Sequence, residues 1–253
     1  MADPQEAQTL TDHLSELRDR LIKSLWVVAA TTILAWNISD WILDRLVDPV
    51  RKFLPNGKLI FLNPMDMFVG YMKVSLIAGI IIACPILIYH LWKFVSPGLY
   101  DHEKKYGAAF IISGSGLFLT GISFAYFLVL PTGLEFLLNF GSSSGQAMIT
   151  LPEYLSFFLT MILVFGASFE LPLVIVILGL FGIVDQKFLR EKRRYAVVLL
   201  ATVAAVITPP DVLSMMMLLG PLWGLYEISI ILVGVLGKRR NAATQEQAAN
   251  APQ

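Results

Sequence analysis

Four long apolar runs decide what this chain can fold into. They lie at roughly 22–43, 68–92, 107–131 and 153–180, and each reaches the about 20 helical residues needed to cross a hydrocarbon core. In that medium no water is at hand for a lone backbone amide, so a crossing segment of this kind must be a helix. Two shorter runs follow, at roughly 195–208 and 212–236. The fifth has about 14 apolar residues between Arg194 and Pro209, or about 21 Å at 1.5 Å per residue, against a core of about 30 Å. The last pair is therefore two short spans in a locally thinned bilayer or a re-entrant hairpin. Six spans are expected, because the apolar part of the last run is by itself long enough to cross.

Composition agrees. The 253 residues are 56% hydrophobic and 15% charged, where a soluble domain has about 25% charged residues. A net charge of zero offers nothing to nucleic acid. The one cysteine, Cys84, sits in an apolar run, which excludes an internal disulfide or a cysteine metal cluster. Up to about Leu21 the N-terminal segment is polar and mixed in charge, unlike a cleavable signal or an Arg-rich transit peptide. There is no His-Glu-x-x-His and no phosphate-binding loop. Ser113-Gly114-Ser115-Gly116 lacks the glycine that a serine elbow needs; it reads as small-residue helix packing, as does Gly220-Pro221-Leu222-Trp223-Gly224. His13, His90 and His102 fall at no ligand spacing. No enzymatic chemistry, cofactor or metal is expected.

Residues 1–8 read as a frayed tail, with a helix from Thr9 opened by a Thr9/Asp12 capping box. Its Leu10, Leu14, Leu17 and Leu21 share one face at the membrane surface. Most Lys and Arg fall on one side of the spans: Arg18, Arg20, Lys23, Lys93, Lys104, Lys105, the run Lys187 to Arg194, and Lys238 to Arg240. Both termini are then cytoplasmic. The expected division is a cytoplasmic segment 1–21 with an amphipathic helix, a membrane domain 22–236 and a disordered tail 237–253. In the first outer loop, Asp44-Arg45-Leu46-Val47-Asp48 reads as a turn of interfacial helix, and Gly141 to Gly145 as a flexible tip of the second.

Glu170 is the sharpest single residue. It lies deep in an otherwise uncharged run, where a charge costs at least about 2.5 kcal/mol. Pro172 also frees the carbonyl of Ser168. The site is either a wet, kinked spot with a function or a protonated carboxyl hydrogen-bonded between helices. Asp211, in Thr208-Pro209-Pro210-Asp211, is an N-cap of the last helix, a functional residue, or both. Glu16, Arg18 and Arg20, with Asp101, Glu103, Lys104 and Lys105, lie at the cytoplasmic surface. Their carboxylates are either solvated helix ends or acceptors of paired guanidinium groups.

Several motifs in order, at a consistent spacing to six spans, resemble one family over about 9–237. They are His13-Leu14-Ser15-Glu16-Leu17-Arg18-Asp19-Arg20-Leu21, Pro49, Trp92 to Glu103, Phe124-Ala125-Tyr126-Phe127, Ser168-Phe169-Glu170-Leu171-Pro172 and Thr208-Pro209-Pro210-Asp211-Val212. The sequence is similar to TatC, the polytopic core of the twin-arginine protein translocase. That resemblance implies an all-α, glove-like, concave bundle of six transmembrane helices in a bacterial inner membrane. It implies proton-motive-force-driven, Sec-independent transport of folded proteins. The partners it implies are twin-arginine signal peptides, single-span proteins like TatA and TatB, membrane lipid, and further copies in the complex. It assigns the twin arginines to Glu16 and Glu103, with Phe94, Pro97, Leu99 and Tyr100 shaping the pocket and Arg18 supporting it. Glu170 would face the concave side and a polar residue of a partner helix; Pro49 and Asp211 would be outer-face positions linked to translocation. Met215-Met216-Met217 departs from members that carry an amide there.

Overall fold

The computed structural model describes residues 4–51, 54, 59–98, 107–139, 148–207 and 212–249. Nearly all of them are helical: α1 (Pro4–Trp36), α2 (Ser39–Arg51), α3 (Met65–Val95), α4 (Gly107–Asn139), α5 (Leu151–Phe169), α6 (Leu171–Leu180), α7 (Gln186–Glu191), α8 (Arg193–Ile207) and α9 (Val212–Ala249). Among the described residues four helices are long and apolar enough to cross a membrane: Met65–Val95, Gly107–Asn139, Leu151–Leu180 and Ser214–Gly237; α1 with α2 makes a fifth if that bent pair is one span. This is a multi-pass, all-helical membrane protein. The run that falls short of six is the one whose length was marginal. At 15 residues, α8 is about 22 Å long.

Three boundaries differ from the sequence expectation. The first helix starts at Pro4 rather than Thr9, so Thr9 is inside a helix rather than at its start. The first apolar run does not continue to residue 43. It breaks after Trp36, and α2 leaves at 82°. Asn37 folds its amide back onto the Ile33 carbonyl (3.2 Å) and Ser39 donates to the Trp36 carbonyl (2.8 Å), so polar side chains end the ladder there. At the other end, the helix runs through 237, where a disordered tail is expected, as far as Ala249, in a segment whose Ala, Gln, Lys and Arg residues have good helix propensity. The tip at Gly141–Gly145 lies outside the described residues.

The expected turn at Asp44–Asp48 is part of α2, which buries Leu43 and Val50 and exposes Asp44, Arg45 and Arg51. Pro49 lies inside this helix. A proline has no N–H to give the carbonyl four residues back, here Arg45. That carbonyl instead accepts from the Tyr126 hydroxyl (2.9 Å), and the adjacent Leu46 carbonyl accepts from Tyr154 (2.5 Å). Tyr126 sits in a π-helical turn, Ala125–Val129, within α4. The extra residue per turn re-aims a side chain that a regular helix would place elsewhere.

Lipid tails are as apolar as leucine, so packing rather than water exclusion must hold such helices together, and small residues let them approach closely. α1 lies along α3, α4 along α5, and α6 along α9. Where α1 crosses α3, the Thr31 hydroxyl reaches the Gly79 carbonyl (2.8 Å). A Cβ on Gly79 would stand 2.7 Å from the Thr32 nitrogen. Where α4 crosses α5, a Cβ on Gly121 would stand 2.6 Å from the Phe165 carbonyl. Around that second crossing Leu155, Phe158, Met161 and Phe165 are fully buried.

Candidate functional site

The carboxylate of Glu16 and the ring of Phe94 are brought together at one end of the bundle, by the antiparallel pairing of α1 and α3. The joint is His13. Its ring stacks on Phe94 (centroids 4.4 Å apart, planes 18° apart), and its Nδ1 lies 4.0 Å from Glu16 Oε2. Deeper along the same crossing, the Ser24 hydroxyl and His90 Nδ1 are 2.8 Å apart. α3 ends just beyond Phe94. The Ser96 hydroxyl donates to the Lys93 carbonyl (3.2 Å), and a single 3₁₀ turn, Ser96–Gly98, leaves Pro97 exposed. Trp92 is buried against Phe110 (4.6 Å) and over Gly107, so the start of α4 backs the same platform.

Helical spacing sorts the charges. Glu16 and Arg20 are four apart and share a face, and Arg20 donates to Glu16 Oε1 through Nε (3.2 Å) and Nη2. Both are partly shielded, with side chains 35% and 21% exposed; Arg18 is 71% exposed and turned to Asp19 instead (3.0 Å). The guanidinium beside the carboxylate is thus Arg20, not Arg18. The i, i+4 spacing is legible in the sequence; the choice between the two arginines needs the helix phase.

Glu170 stands apart from this platform, at the break between α5 and α6. Among the described residues neither carboxylate oxygen has a hydrogen-bond partner, and both are shielded. A Cβ on Gly114 of α4 would lie 3.4 Å from Oε2. The alternative of a carboxyl bonded between this chain's own helices is not what the geometry shows. Pro49 is on α2, at the opposite end from Glu16. Leu99, Tyr100, Glu103 and Asp211 lie outside the described residues. No group of three or more His, Cys, Asp or Glu among the described residues is arranged to hold a metal ion.

Three lines of comparison agree with one another. The pattern of the family described as Sec-independent protein translocase protein (TatC) matches residues 12–221. The chain is 42% identical over 251 residues to the Sec-independent protein translocase protein TatC of Desulforapulum autotrophicum, covering 99% of this chain and 93% of that one. It is 39% identical over 225 residues to that of Carboxydothermus hydrogenoformans, covering 88% and 92%. Among solved structures it is similar to a crystal structure of the twin-arginine translocase receptor TatC, with a TM-score of 0.76 at 36% identity; 87% of this chain and 97% of that one are covered.

Proposed function

The chain belongs to the TatC family of Sec-independent protein translocase proteins, and from that premise we propose that it is the signal-peptide receptor of a twin-arginine translocase. It is a transport component rather than an enzyme. The observation that carries the receptor reading is the junction of Glu16 with Phe94 through His13. A partly shielded carboxylate beside an aromatic wall suits a planar guanidinium, which binds a carboxylate edge-on and stacks on a ring; an ammonium does neither as well.

In this reading one arginine of the peptide displaces Arg20 and takes Glu16, and Glu103 takes the other. Phe94, Pro97, Leu99 and Tyr100 line the surface around them. Arg18 neutralises Asp19, leaving Glu16 as the carboxylate that accepts. Specificity follows because a carboxylate left without its partner in a partly dry pocket is costly. Six helices cross a bacterial inner membrane in a concave, glove-like bundle with both termini cytoplasmic, the positive side of the loops. Single-span partners resembling TatA and TatB assemble on it in several copies, and the proton-motive force drives transport. Pro49 and Asp211 serve at the outer face, Pro49 through the carbonyl it leaves to Tyr126.

The test places a photo-cross-linker at Phe94 and offers twin-arginine and twin-lysine peptides. Cross-linking of the first alone is expected; equal yields from both overturn the reading. Glu170 gives a separate prediction. A shielded carboxyl with no partner among the described residues is suited to a polar group from another helix, so Glu170→Ala should reduce copurification of the single-span partners severalfold and leave peptide cross-linking intact. Undiminished copurification would remove Glu170 from that role.

A further inference from the structure

The receptor reading leaves one charged patch unused, at the end of the bundle where Glu16 lies. Lys187, Arg190, Lys192, Arg193 and Arg194 crowd α7 and the first turn of α8. Among the described residues only Arg193 has an acidic partner, Glu227 of α9 at 2.5 Å; the exposed Glu191 in the same run pairs with none of them. Two of the cations gather on one ring. Lys192 Nζ and Arg194 Cζ lie 5.4 and 4.8 Å from the centroid of Tyr195, and Arg194 Nη2 also reaches the Tyr195 hydroxyl (3.1 Å). Two positive charges that share one ring, neither with an acidic partner among the described residues, suit an anion that both can reach.

The platform under these cations is fixed. Asp185 caps α7 through the Phe188 N–H (2.6 Å), Leu189 is buried, and its carbonyl accepts from Tyr226 of α9 (2.8 Å). Beyond the cations the surface changes character. Beyond Tyr195, the side chains of Val198 and Leu199 continue along α8 and are exposed. A cationic pair, an amphipathic ring and an apolar strip therefore follow one another in the order of a headgroup, an ester region and an acyl chain.

We propose that α7 and the first turn of α8 form a binding site for an anionic phospholipid. Lys192 and Arg194 hold a headgroup phosphodiester beside Tyr195, and an acyl chain runs along Val198 and Leu199. Lys187 and Arg190, three apart on α7, stand ready for a second phosphate, which favours a lipid carrying two in one headgroup. Basic clusters at the inner ends of membrane helices recognise such headgroups in general. Here the site has a further consequence. Because α8 is shorter than the hydrocarbon core is thick, a headgroup held at its start is drawn toward the midplane, so the bound lipid supports a locally thin bilayer.

Native mass spectrometry of the purified full chain in detergent tests this, with cardiolipin, phosphatidylglycerol and phosphatidylethanolamine added in turn. Retained adducts are expected for the two anionic lipids, more for cardiolipin, and at least about fivefold fewer for Lys192→Gln/Arg194→Gln. Arg45→Gln/Arg51→Gln, which removes as much charge at the opposite end, should retain them. So should Lys192→Arg, which covers the case that the neutral pair fails to fold. Equal adducts with the zwitterionic lipid, equal adducts on the neutral pair, or their loss from Lys192→Arg or from the distant control would each overturn the site. None of these outcomes bears on peptide binding at Glu16.

Discussion

Glu16→Ala lowers the affinity for a twin-arginine peptide by about tenfold or more, as read by fluorescence anisotropy of a labelled peptide on the detergent-solubilised protein. A hydrogen bond to a charged group contributes about 1.5–3 kcal/mol, and each 1.4 kcal/mol is about tenfold, so the range is about ten- to a hundredfold. The resident Arg20 sets a small offset. An i, i+4 pair contributes only about 0.3–0.5 kcal/mol where it is exposed, and for this partly shielded pair an offset of about that size is what the incoming guanidinium must overcome. Arg20→Gln is accordingly expected to tighten binding by less than about threefold, opposite in sign to the carboxylate variant. Unchanged affinity in Glu16→Ala removes that residue from the receptor, and weakened affinity in Arg20→Gln makes Arg20 a positioning residue rather than a displaced occupant.

The second large effect concerns the crossing on which that site stands. Gly79→Val destabilises the protein by more than about 3 kcal/mol, beyond the usual 1–3 kcal/mol of an overfilled core. The reason is that the obstacle is main chain. A Cβ at residue 79 would lie 2.7 Å from the Thr32 nitrogen and 2.8 Å from its Cα, and neither can rotate away as a side chain would. α1 must lift from α3, and the stacking of His13 on Phe94 and the contact of Ser24 with His90 go with it. Thermal unfolding in detergent, followed by circular dichroism, should show a midpoint lower by many degrees. Gly116→Ala is the matched control. Nothing lies within 4 Å of a Cβ there, and alanine is the better helix former by up to about 1 kcal/mol. An unchanged midpoint for Gly79→Val would show that the close approach is not what holds the helices.

Run length made most of the helices legible, because a bilayer sets a length that a sequence either meets or misses. The 195–208 run shows this best: its shortfall was plain from the positions of Arg194 and Pro209, and α8 is short. Less was legible where polar side chains act on the backbone. Asn37 and Ser39 turn the chain inside what hydropathy presents as one continuous run. At the α1–α3 crossing, Glu16 and Phe94 were singled out by their motifs. That His13 joins them depends on how two helices 66 or more residues apart are aligned, as the Ser24–His90 contact also does. The orientation of Arg20 follows from helix phase, whereas the motif drew attention to Arg18. Glu170 was conspicuous by depth alone, but the lack of a partner for its oxygens required the packing of α4 beside it.

Tyr154 and Glu170 bracket α5, one in its first turn and the other at its end. Helical rise puts them about 24 Å apart, on a rod whose interior is locked by buried aromatic rings. The Tyr154 hydroxyl pins that rod to α2 by a bond to the Leu46 carbonyl. α2 and the buried carboxyl are thus two handles of one lever. A force that moves α2 must break that bond or swing the rod, and in swinging the rod it reorients Glu170 from the far side of the bundle.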